Sequence, residues 1–300
     1  MYLLTVPGIR SWAFAVTKKS VGQEVPCNWN ALVSYPWVVA DIVQARERMA
    51  KMVTIEQRDD ALGLVLVKTP GRSFWIRDKG ANLNGAQAIG TALAERDWTF
   101  SAIPGAEVRP GDVVLDVGAH VGTFTDFALM QGAAKVIALE PDPLNVECLR
   151  RNFAKDIASG RVVLVPEGAW SSEQSIEFST GVGNSGMGSM VHREAGGQII
   201  KVPVRPIDTI LATLKIAKVD YIKMDIEGAE KEALKGAKAT LQRDRPRIHM
   251  DANHEPDDAT ALPALVQKIR TGYTIRSGAC EFNPITQALY VPHSLFFEQL

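Results

Sequence analysis

The stretch Asp112-Val-Val-Leu-Asp-Val-Gly-Ala-His-Val-Gly122, followed after one short helical segment by Val136-Ile-Ala-Leu-Glu-Pro-Asp142, decides the fold of this chain. Each stretch begins with a continuous apolar run, which is typical of a parallel strand buried on both faces. The first run ends at Asp116 and a glycine-containing turn, and the second ends at Glu140. This order predicts a nucleotide-binding βα unit, with its ligand at the carboxyl edge of an open parallel sheet.

The same alternation of strand and helix continues to the end of the chain. We expect strands at 112–117, 135–140, 161–166, 219–225 and 246–251, and helices near 121–131, 143–154, 229–242 and 258–271. A hairpin at 175–179 and 199–204 encloses the glycine-rich loop 181–197, and strands at 273–276 and 288–291 close the sheet with an antiparallel pair.

The first hundred residues lack this rhythm. A helical pattern at 38–52 precedes a hairpin at 62–69 and 72–77, and helical sequence resumes at 86–94. We therefore expect an α+β appendage or cap at 1–100 and the main α/β domain at 101–300.

Composition excludes several classes of protein. The 300 residues are 46% hydrophobic, and 33 basic residues nearly balance 34 acidic ones, so we expect a large core and no nucleic-acid surface. The apolar start lacks a basic region and is interpreted as packed sequence, not a signal peptide, and no transmembrane span is expected. Cys27, Cys148 and Cys280 show no paired spacing, which predicts reduced thiols in a cytoplasmic protein.

Two strand-end acids indicate the kind of ligand. Asp116 beside Glu140 would repel a pyrophosphate, whereas an adenosine joined to a cationic amino-acid group would be attracted. Glu140 lies about 20 residues beyond the turn, where a carboxylate accepts hydrogen bonds from ribose hydroxyls. This combination favours S-adenosylmethionine as the cofactor.

Further cofactor contacts are expected along the same edge. The segment Glu167-Gly168-Ala169 ends the third strand, where a backbone amide and a polar side chain can read the edge of adenine. The predicted cofactor-binding residues are Asp116, Gly118, Ala119, His120, Gly122, Phe124, Glu140, Pro141, Asp142, Glu167, Gly168, Ala169 and Asp225.

A second group of acids follows the strand at 219–225. Alternation places Lys223 and Asp225 on one side of the strand end, with Glu227 just beyond. Acids are favoured at the start of a helix, and this capping role is our interpretation of Glu230. Asp225 is less well explained by capping, because it ends an apolar strand at the ligand-binding edge.

The next strand end offers a general base or a metal ligand. His254 has the usual pKa range for proton transfer near neutral pH, whereas His249 alternates to the other face and is interpreted as packing. Asp225, Asp251 and Asn253 together offer hard oxygen ligands for Mg²⁺, as an alternative to catalysis without a metal.

A known family shares these motifs. The chain resembles the FkbM family of S-adenosylmethionine-dependent methyltransferases over about residues 62 to 295, and its most specific motif is Ile222-Lys-Met-Asp-Ile-Glu-Gly-Ala-Glu230. The other matching segments are 116–122, Glu140-Pro-Asp142, Asn184-Ser-Gly-Met187 and Pro206-Ile-Asp208-Thr. The resemblance implies a Rossmann-like class I methyltransferase fold, with a seven-stranded, mainly parallel sheet containing one antiparallel strand and helices on both faces.

Two positions depart from the family pattern. The family usually has Asn where this chain has His120, and an acid after an aromatic residue where this chain has Thr99 after Trp98. Both lie toward the end of the site that would bind the methionine part of the cofactor.

The expected activity is methyl transfer to a hydroxyl of a small molecule, sugar or secondary metabolite, with S-adenosylhomocysteine as product. Asp225 would orient the acceptor, Glu227 or His254 would act as base, and the loop 181–197 would cover the acceptor. Two alternatives of other classes are a nicotinamide oxidoreductase, opposed by the missing third glycine of the dinucleotide fingerprint, and a non-catalytic cofactor-binding or interaction module. The sequence carries no signal for oligomeric state.

Overall fold

A computed structural model describes residues 6–23, 25, 27, 29–78, 85–102, 107–181, 185–193, 195–278, 280–282 and 290–299. Its helices are α1 (Val6–Ser20), α2 (Trp29–Met52), α3 (Gly85–Ala102), α4 (Thr123–Met130), α5 (Pro143–Asn152), α6 (Ala154–Ala158), α7 (Ile207–Thr213), α8 (Glu230–Lys235), α9 (Lys238–Asp244) and α10 (Asp258–Ile269). Its strands are β1 (Thr54–Asp59), β2 (Leu64–Lys68), β3 (Ser73–Arg77), β4 (Val113–Val117), β5 (Lys135–Leu139), β6 (Val162–Val165), β7 (Gly168–Ala169), β8 (Gln174–Ser179), β9 (Ile199–Arg205), β10 (Tyr221–Met224), β11 (Arg247–Asp251), β12 (Tyr273–Ser277), β13 (Cys280–Phe282), β14 (Tyr290–Pro292) and β15 (Ser294–Gln299). None of the described helices has the length and apolar content needed to cross a membrane.

The central sheet has seven strands in the order β12-β15-β11-β10-β4-β5-β6. The strands from β11 to β6 pair in parallel, while β15 runs antiparallel to both of its neighbours. The predicted fold class, a mainly parallel seven-stranded sheet with one antiparallel strand, is therefore confirmed.

Alternating residues of the central strands enter two apolar cores. Leu115 and Ile137 belong to the core on one face, whereas Val114 and Val136 belong to the core on the other. Because successive strand side chains point to opposite faces, a strand covered on both sides must be apolar throughout. This explains why the central strands read as continuous hydrophobic runs.

The closing strand was predicted at the wrong place. We expected a strand at 288–291 as the partner of 273–276, but 283–289 lie outside the described residues, and β14 pairs with β13 in a separate two-stranded sheet. The partner of β12 is β15, which inserts between β11 and β12 instead of ending the sheet. Phe296 and Phe297 of β15 are buried, so the apolar core selects this later segment.

The predicted helix at 229–242 is divided into α8 and α9. The break falls at Gly236, where an added Cβ would lie 2.1 Å from the carbonyl oxygen of Trp170. The chain therefore turns where it contacts the segment after β7. The predicted hairpin β8–β9 is confirmed, and β7 extends it to a three-stranded sheet.

The N-terminal part contains more structure than predicted. The hairpin β2–β3 is confirmed, but β1 adds a third strand whose residues are mostly exposed and therefore carry no apolar signal. Leu64 and Phe74 of this sheet lie in the same core as Val114 of the central sheet. A domain boundary near residue 100 stays a prediction, and side-chain packing is continuous across it.

The prediction of reduced cysteines was wrong for two of the three and confirmed for Cys148. Cys27 and Cys280 form a disulfide although they are 253 residues apart in sequence, while Cys148 is free and buried. Their Cα atoms lie 6.1 Å apart, within the range that a disulfide requires. Sequence spacing gives no signal for a pair that only the tertiary fold brings together.

Candidate active site

The carboxyl ends of β4, β5, β10 and β11 bring the predicted site residues to one edge of the sheet. Register pairs Lys223 of β10 with Asp116 of β4 and with His249 of β11. The acids at these strand ends are Asp116, Glu140, Asp225 and Asp251. The sequence-based placement of one cluster at this edge is confirmed for these four residues.

The glycine turn after β4 is shaped by protein contacts. A Cβ at Gly118 would lie 2.0 Å from the carbonyl oxygen of Asp225, and a Cβ at Gly122 would lie 2.1 Å from the ring of Phe153. Both glycines also have positive φ, at 79° and 94°. The turn therefore needs glycine to bring β10 and α5 close to it, and the nearest neighbour of Gly118 is the strand end that carries Asp225.

Asp116 is an internal residue of the site. Its side chain is 0% exposed, accepts a hydrogen bond of 2.6 Å from Thr125 Oγ1, and lies 3.7 Å from Lys223 Nζ. Burial raises the pKa of Asp116, and the charge of Lys223 opposes that effect. Asp116 therefore anchors the strand end against Thr125 and Lys223, and the attraction of its charge for a ligand ammonium stays a prediction.

His120 occupies the left-handed region of backbone conformation, with φ of 52°. Asn and His are among the non-glycine residues that adopt this region most often, so the departure from the family pattern suits the local backbone. Burial, followed by the charge of Lys223, lowers the pKa of His120 to about 4. The imidazole is therefore neutral at physiological pH.

Glu140 accepts hydrogen bonds from the backbone around the turn. His120 N–H donates to one carboxylate oxygen at 2.8 Å, and Asp142 N–H donates to the other at 2.9 Å. Burial raises the pKa of Glu140 to about 8. Oε1 also accepts from Asn145 Nδ2 at 3.4 Å, so Oε2 is the oxygen with a lone pair left for a hydroxyl donor, and such a donor would favour the ionised form.

The helix that follows Glu140 connects the site to the N-terminal sheet. Asp142 caps α5 by accepting from Leu144 N–H at 2.8 Å, with Pro143 at the first helical position. Its other oxygen lies 3.1 Å from a guanidinium nitrogen of Arg77 on β3. Arg77 therefore reaches the rim of the candidate cofactor site. No pattern in the sequence predicted this ion pair.

Several other predicted cofactor residues have partners within the protein. Both carboxylate oxygens of Glu167 bind the guanidinium of Arg205. Gly168 and Ala169 form β7 and pair with β9, and both are buried. Ala119 and Phe124 belong to the apolar core, while Pro141 is half-buried at the end of β5.

Asp225 is the acid most open to solvent at this edge. Its side chain is 38% exposed and lies 3.6 Å from Lys223 Nζ, which donates a hydrogen bond of 2.9 Å to the Gly118 carbonyl. Burial raises the pKa of Asp225, but Lys223 and then His254 outweigh it, so the pKa is lowered overall. An ionised, accessible carboxylate therefore stands beside the glycine turn.

Glu227 and His254 lie next to Asp225. His254 Nε2 is 3.7 Å from Asp225 Oδ1 and 3.6 Å from Glu227 Oε2. Burial raises the pKa of Glu227 to about 7, against the charge of His254. The three predicted catalytic residues are thus brought together around one small space.

Glu230 completes this group from below. It is fully buried and accepts hydrogen bonds from Ile226 N–H at 3.0 Å, Gly228 N–H at 3.1 Å and His254 Nδ1 at 2.9 Å. Burial alone would lower the pKa of His254, but Glu230, followed by Glu227 and Asp225, raises it well above 6.5. Glu230 stands in the first turn of α8 as interpreted, but it makes no side-chain cap hydrogen bond to that helix, and its carboxylate instead binds the preceding turn and His254.

A different set of donors from the predicted one approaches metal-binding spacing. Asp225, Asp251 and His254 each offer one donor atom within 4.8 Å of the others, and His254 replaces Asn253 in this set. Asn253 Nδ2 lies 3.2 Å from His293 Nδ1 instead. His249 stacks on Phe296 with ring centroids 4.4 Å apart, in agreement with a packing role, but the register pairs it with Lys223, so the prediction that it lies on the other face was wrong.

The loop between β8 and β9 closes against the same turn. Ser189 Oγ donates to the Glu227 carbonyl at 2.7 Å and accepts from the N–H groups of Val191 and His192. His192 Nε2 lies 3.0 Å from Glu255. Within 181–197, residues 182–184 and 194 lie outside the described residues, so cover of the acceptor by this loop stays a prediction.

Two site residues went unrecognised, and the reasons differ. Lys223 was placed on the correct side of β10 without a role, although an alternating Lys in an apolar strand is a signal for a buried ion pair. His293 follows β14 and lies 3.5 Å from Asp251, a contact that depends on the unpredicted path of β15. The Thr99 side chain lies outside the described residues.

The strand order, the antiparallel β15 and the acids at the ends of β5 and β10 define a Rossmann-like class I methyltransferase fold. The chain belongs to the FkbM methyltransferase family, since the family model for the methyltransferase FkbM domain matches residues 116–275. The matched segment contains both strand-end acids and the Asp225–Glu230 motif.

Individual relatives extend this comparison. The chain is 29% identical over 203 residues to 31-O-demethyl-FK506 methyltransferase FkbM of Streptomyces tacrolimicus, covering 57% of this chain and 76% of that protein. It is 28% identical over 158 residues to hexuronic acid methyltransferase AglP of Haloferax volcanii, covering 52% of this chain and 63% of the relative. A crystal structure of methyltransferase FkbM from Methylobacillus flagellatus KT aligns at 19% identity and a TM-score of 0.47, covering 86% of this chain and 60% of that one.

Proposed function

We propose that this protein transfers the methyl group of S-adenosylmethionine to a hydroxyl oxygen of a small molecule or carbohydrate. The observation that carries the proposal is the position of Asp225, an accessible and ionised carboxylate beside the Gly118 turn and Glu140. A cofactor held by the turn and Glu140 would present its methyl group toward Asp225. Membership of a methyltransferase family supports the same chemistry.

The residues present fit the adenosine part of that cofactor. Glu140 is fixed by two backbone N–H groups and the Asn145 side chain, and its Oε2 keeps a lone pair for a ribose hydroxyl. The turn at Gly118 and His120 adopts the left-handed region of backbone conformation, and the neutral His120 adds no charge beside it. We assign Glu167 no adenine contact in this proposal, because Arg205 occupies both of its oxygens.

The bound cofactor supplies an electrophilic methyl group on a positively charged sulfur. Asp225 orients the acceptor hydroxyl in line with that group, and close positioning provides most of the rate enhancement. Glu227 accepts the hydroxyl proton as the oxygen–carbon bond forms, since its pKa of about 7 suits a general base near neutral pH. His254, positively charged between Asp225 and Glu227, keeps the two carboxylates in place.

The acceptor class is proposed from the relatives. One is named for methylation at an oxygen of a demethylated FK506 and the other for a hexuronic acid, so both act on oxygen-rich molecules. We propose a hydroxylated small molecule or sugar, with the loop 181–197 as its cover. No nucleic-acid partner is part of this proposal.

The test is a transfer assay with isotope-labelled S-adenosylmethionine and metabolite extract, followed by identification of the labelled product. Asp225→Asn should reduce turnover at least about 100-fold while S-adenosylhomocysteine affinity stays within about tenfold. Asp156→Asn, which alters a half-buried carboxylate of α6 paired with Arg161, is the control and should leave both unchanged. Unchanged turnover in Asp225→Asn would refute the role of Asp225.

A second candidate is metal-assisted methyl transfer at the same place. The observation that favours it is the spacing of Asp225, Asp251 and His254 within 4.8 Å, in which the two carboxylates suit Mg²⁺ while the imidazole is a ligand more typical of transition metals. Running the labelled assay with and without a chelator decides between the two. If transfer is lost in chelator and restored by added Mg²⁺, a bound metal ion activates the acceptor hydroxyl, and proton transfer to Glu227 is not the mechanism.

We also propose the cytoplasm as the compartment, since the proposed cofactor is a cytoplasmic metabolite. The disulfide between Cys27 and Cys280 counts against this proposal, because disulfides persist mainly in oxidising compartments. Fractionation of source cells, with thiols trapped at lysis, tests the compartment and the disulfide together.

A further inference from the structure

Beneath the proposed catalytic group, one buried carboxylate binds both His254 and the turn that carries Glu227. Glu230 is fully buried, and its two oxygens accept from Ile226 N–H, Gly228 N–H and His254 Nδ1. The first two donors belong to the turn that carries Glu227, and the third belongs to the histidine that faces Asp225 and Glu227. A capping residue alone would bind only the backbone donors of its own turn.

The turn held by Glu230 is conformationally unusual. Glu227 has φ of 52° and Gly228 has φ of 101°, so both adopt the left-handed region that non-glycine residues seldom occupy. The two backbone hydrogen bonds to Glu230 stabilise this shape, and Ser189 Oγ adds a third contact at the Glu227 carbonyl. The position of the Glu227 carboxylate therefore depends on Glu230.

The orientation of His254 depends on the same carboxylate. An imidazole whose Nδ1–H binds a carboxylate has a fixed ring plane, and its Nε2 then points in one direction. Here that direction is the gap between Asp225 and Glu227, at 3.7 Å and 3.6 Å. These separations are too long for hydrogen bonds, so His254 Nε2 is not committed to either carboxylate.

We propose that Glu230 is a positioning residue of the methyltransferase site, and that it acts through His254 by fixing the imidazole toward the acceptor hydroxyl. This inference rests on the proposed function, and it adds a residue that touches neither cofactor nor acceptor. During transfer the acceptor proton moves to Glu227, the oxygen–carbon bond forms, and the carbon–sulfur bond breaks to release the neutral product. Glu230 keeps its charge and its three hydrogen bonds throughout.

The first test needs no acceptor. A nitrogen-bound proton shared between His254 Nδ1 and a carboxylate gives a downfield proton resonance in the NMR spectrum of the full chain. We expect one such resonance to disappear both in Glu230→Gln and in His254→Ala, and to persist in Glu232→Gln, a change two residues further along α8. A resonance that survives Glu230→Gln would overturn the proposal whatever the enzyme's activity.

The second test separates positioning from general loosening of the turn. In the wild-type background, Glu230→Gln should lower kcat about 10- to 100-fold, with both KM values within about threefold. In the His254→Ala background, adding Glu230→Gln should lower kcat less than about twofold further. Ser189→Ala, which loosens the same turn without contacting His254, should cost a similar factor in both backgrounds. Equal losses from Glu230→Gln in both backgrounds would show a merely structural role.

These outcomes separate the two proposals. If wild-type protein transfers no label, the proposed function fails, while the NMR test still decides whether Glu230 holds His254. If wild-type protein transfers label and the losses are additive, the proposed function stands and the positioning role of Glu230 is wrong. Thermal unfolding of Glu230→Gln checks that the variant is folded in either case.

Discussion

Gly118→Ala is expected to lower both stability and turnover more than the same change at a glycine with open space around it. The new Cβ would lie 2.0 Å from the Asp225 carbonyl oxygen, where real Cβ contacts are essentially never under 3.0 Å, so the β10 end must move by about 1 Å. The positive φ of 79° adds about 1–2 kcal/mol for a non-glycine residue. Overpacking adds about 1–3 kcal/mol, which gives a total loss of about 2–5 kcal/mol.

The matched control is Gly160→Ala. Gly160 has a similar φ of 75°, but nothing lies within 4 Å of its added Cβ. This variant should lose only the backbone contribution of about 1–2 kcal/mol and keep full turnover. Because a displacement of about 1 Å at a reacting centre can cost about 100-fold in rate, Gly118→Ala should lose turnover by that order.

Urea unfolding and the labelled-transfer assay measure both effects in the two variants. Gly118→Ala should have a free energy of unfolding at least about 1 kcal/mol below that of Gly160→Ala, and of the two variants it alone should lose turnover. Equal stability and equal turnover in the two alanine variants would refute the claim that the turn presses against the Asp225 strand end.

Three further predictions concern charges and thiols. Because burial raises the pKa of Glu140 to about 8, its contribution to stability is fully present below about pH 4.5 and is lost as pH rises through 8. Urea unfolding from pH 5 to 9 should show this fall in wild-type protein and a shallower one in Glu140→Gln; parallel curves would contradict it. Glu167→Gln should leave S-adenosylhomocysteine affinity within about threefold, because Arg205 holds that carboxylate, and a larger loss in calorimetry would return Glu167 to the cofactor site. Thiol titration of denatured, unreduced protein should find one thiol, from Cys148, and three after reduction; three in both samples would disprove the disulfide.

The central strands could be predicted because burial on both faces forces continuous apolar runs. β4, β5 and β10 were found within two residues of their observed ends, and their order along the chain placed Asp116, Glu140 and Asp225 at one edge. β15 was missed because the turn signals in 283–289 led us to place the strand directly after them, at 288–291. The observed strand, Ser294–Gln299, begins later in the chain. β1 was missed because its exposed, polar residues show no periodicity.

The roles of the site residues needed three-dimensional contacts. Asp116 and Asp225 both end apolar strands, yet one is fully buried against Thr125 while the other is open to solvent. No pattern in the sequence distinguishes these two outcomes, since each depends on what packs against the strand end. For the same reason Glu230 was interpreted from the sequence as a residue of the helix start, and its hydrogen bond with His254 was not predicted.

The turn after β4 and Glu140 together form the proposed adenosine site for S-adenosylmethionine. Calorimetry with S-adenosylhomocysteine measures binding at this site. We predict binding of one molecule per chain, weakened about 10- to 100-fold by Glu140→Gln through the loss of hydrogen bonds to a charged carboxylate. NAD should give no binding under the same conditions. Tight binding of NAD together with no binding of S-adenosylhomocysteine would contradict the claim.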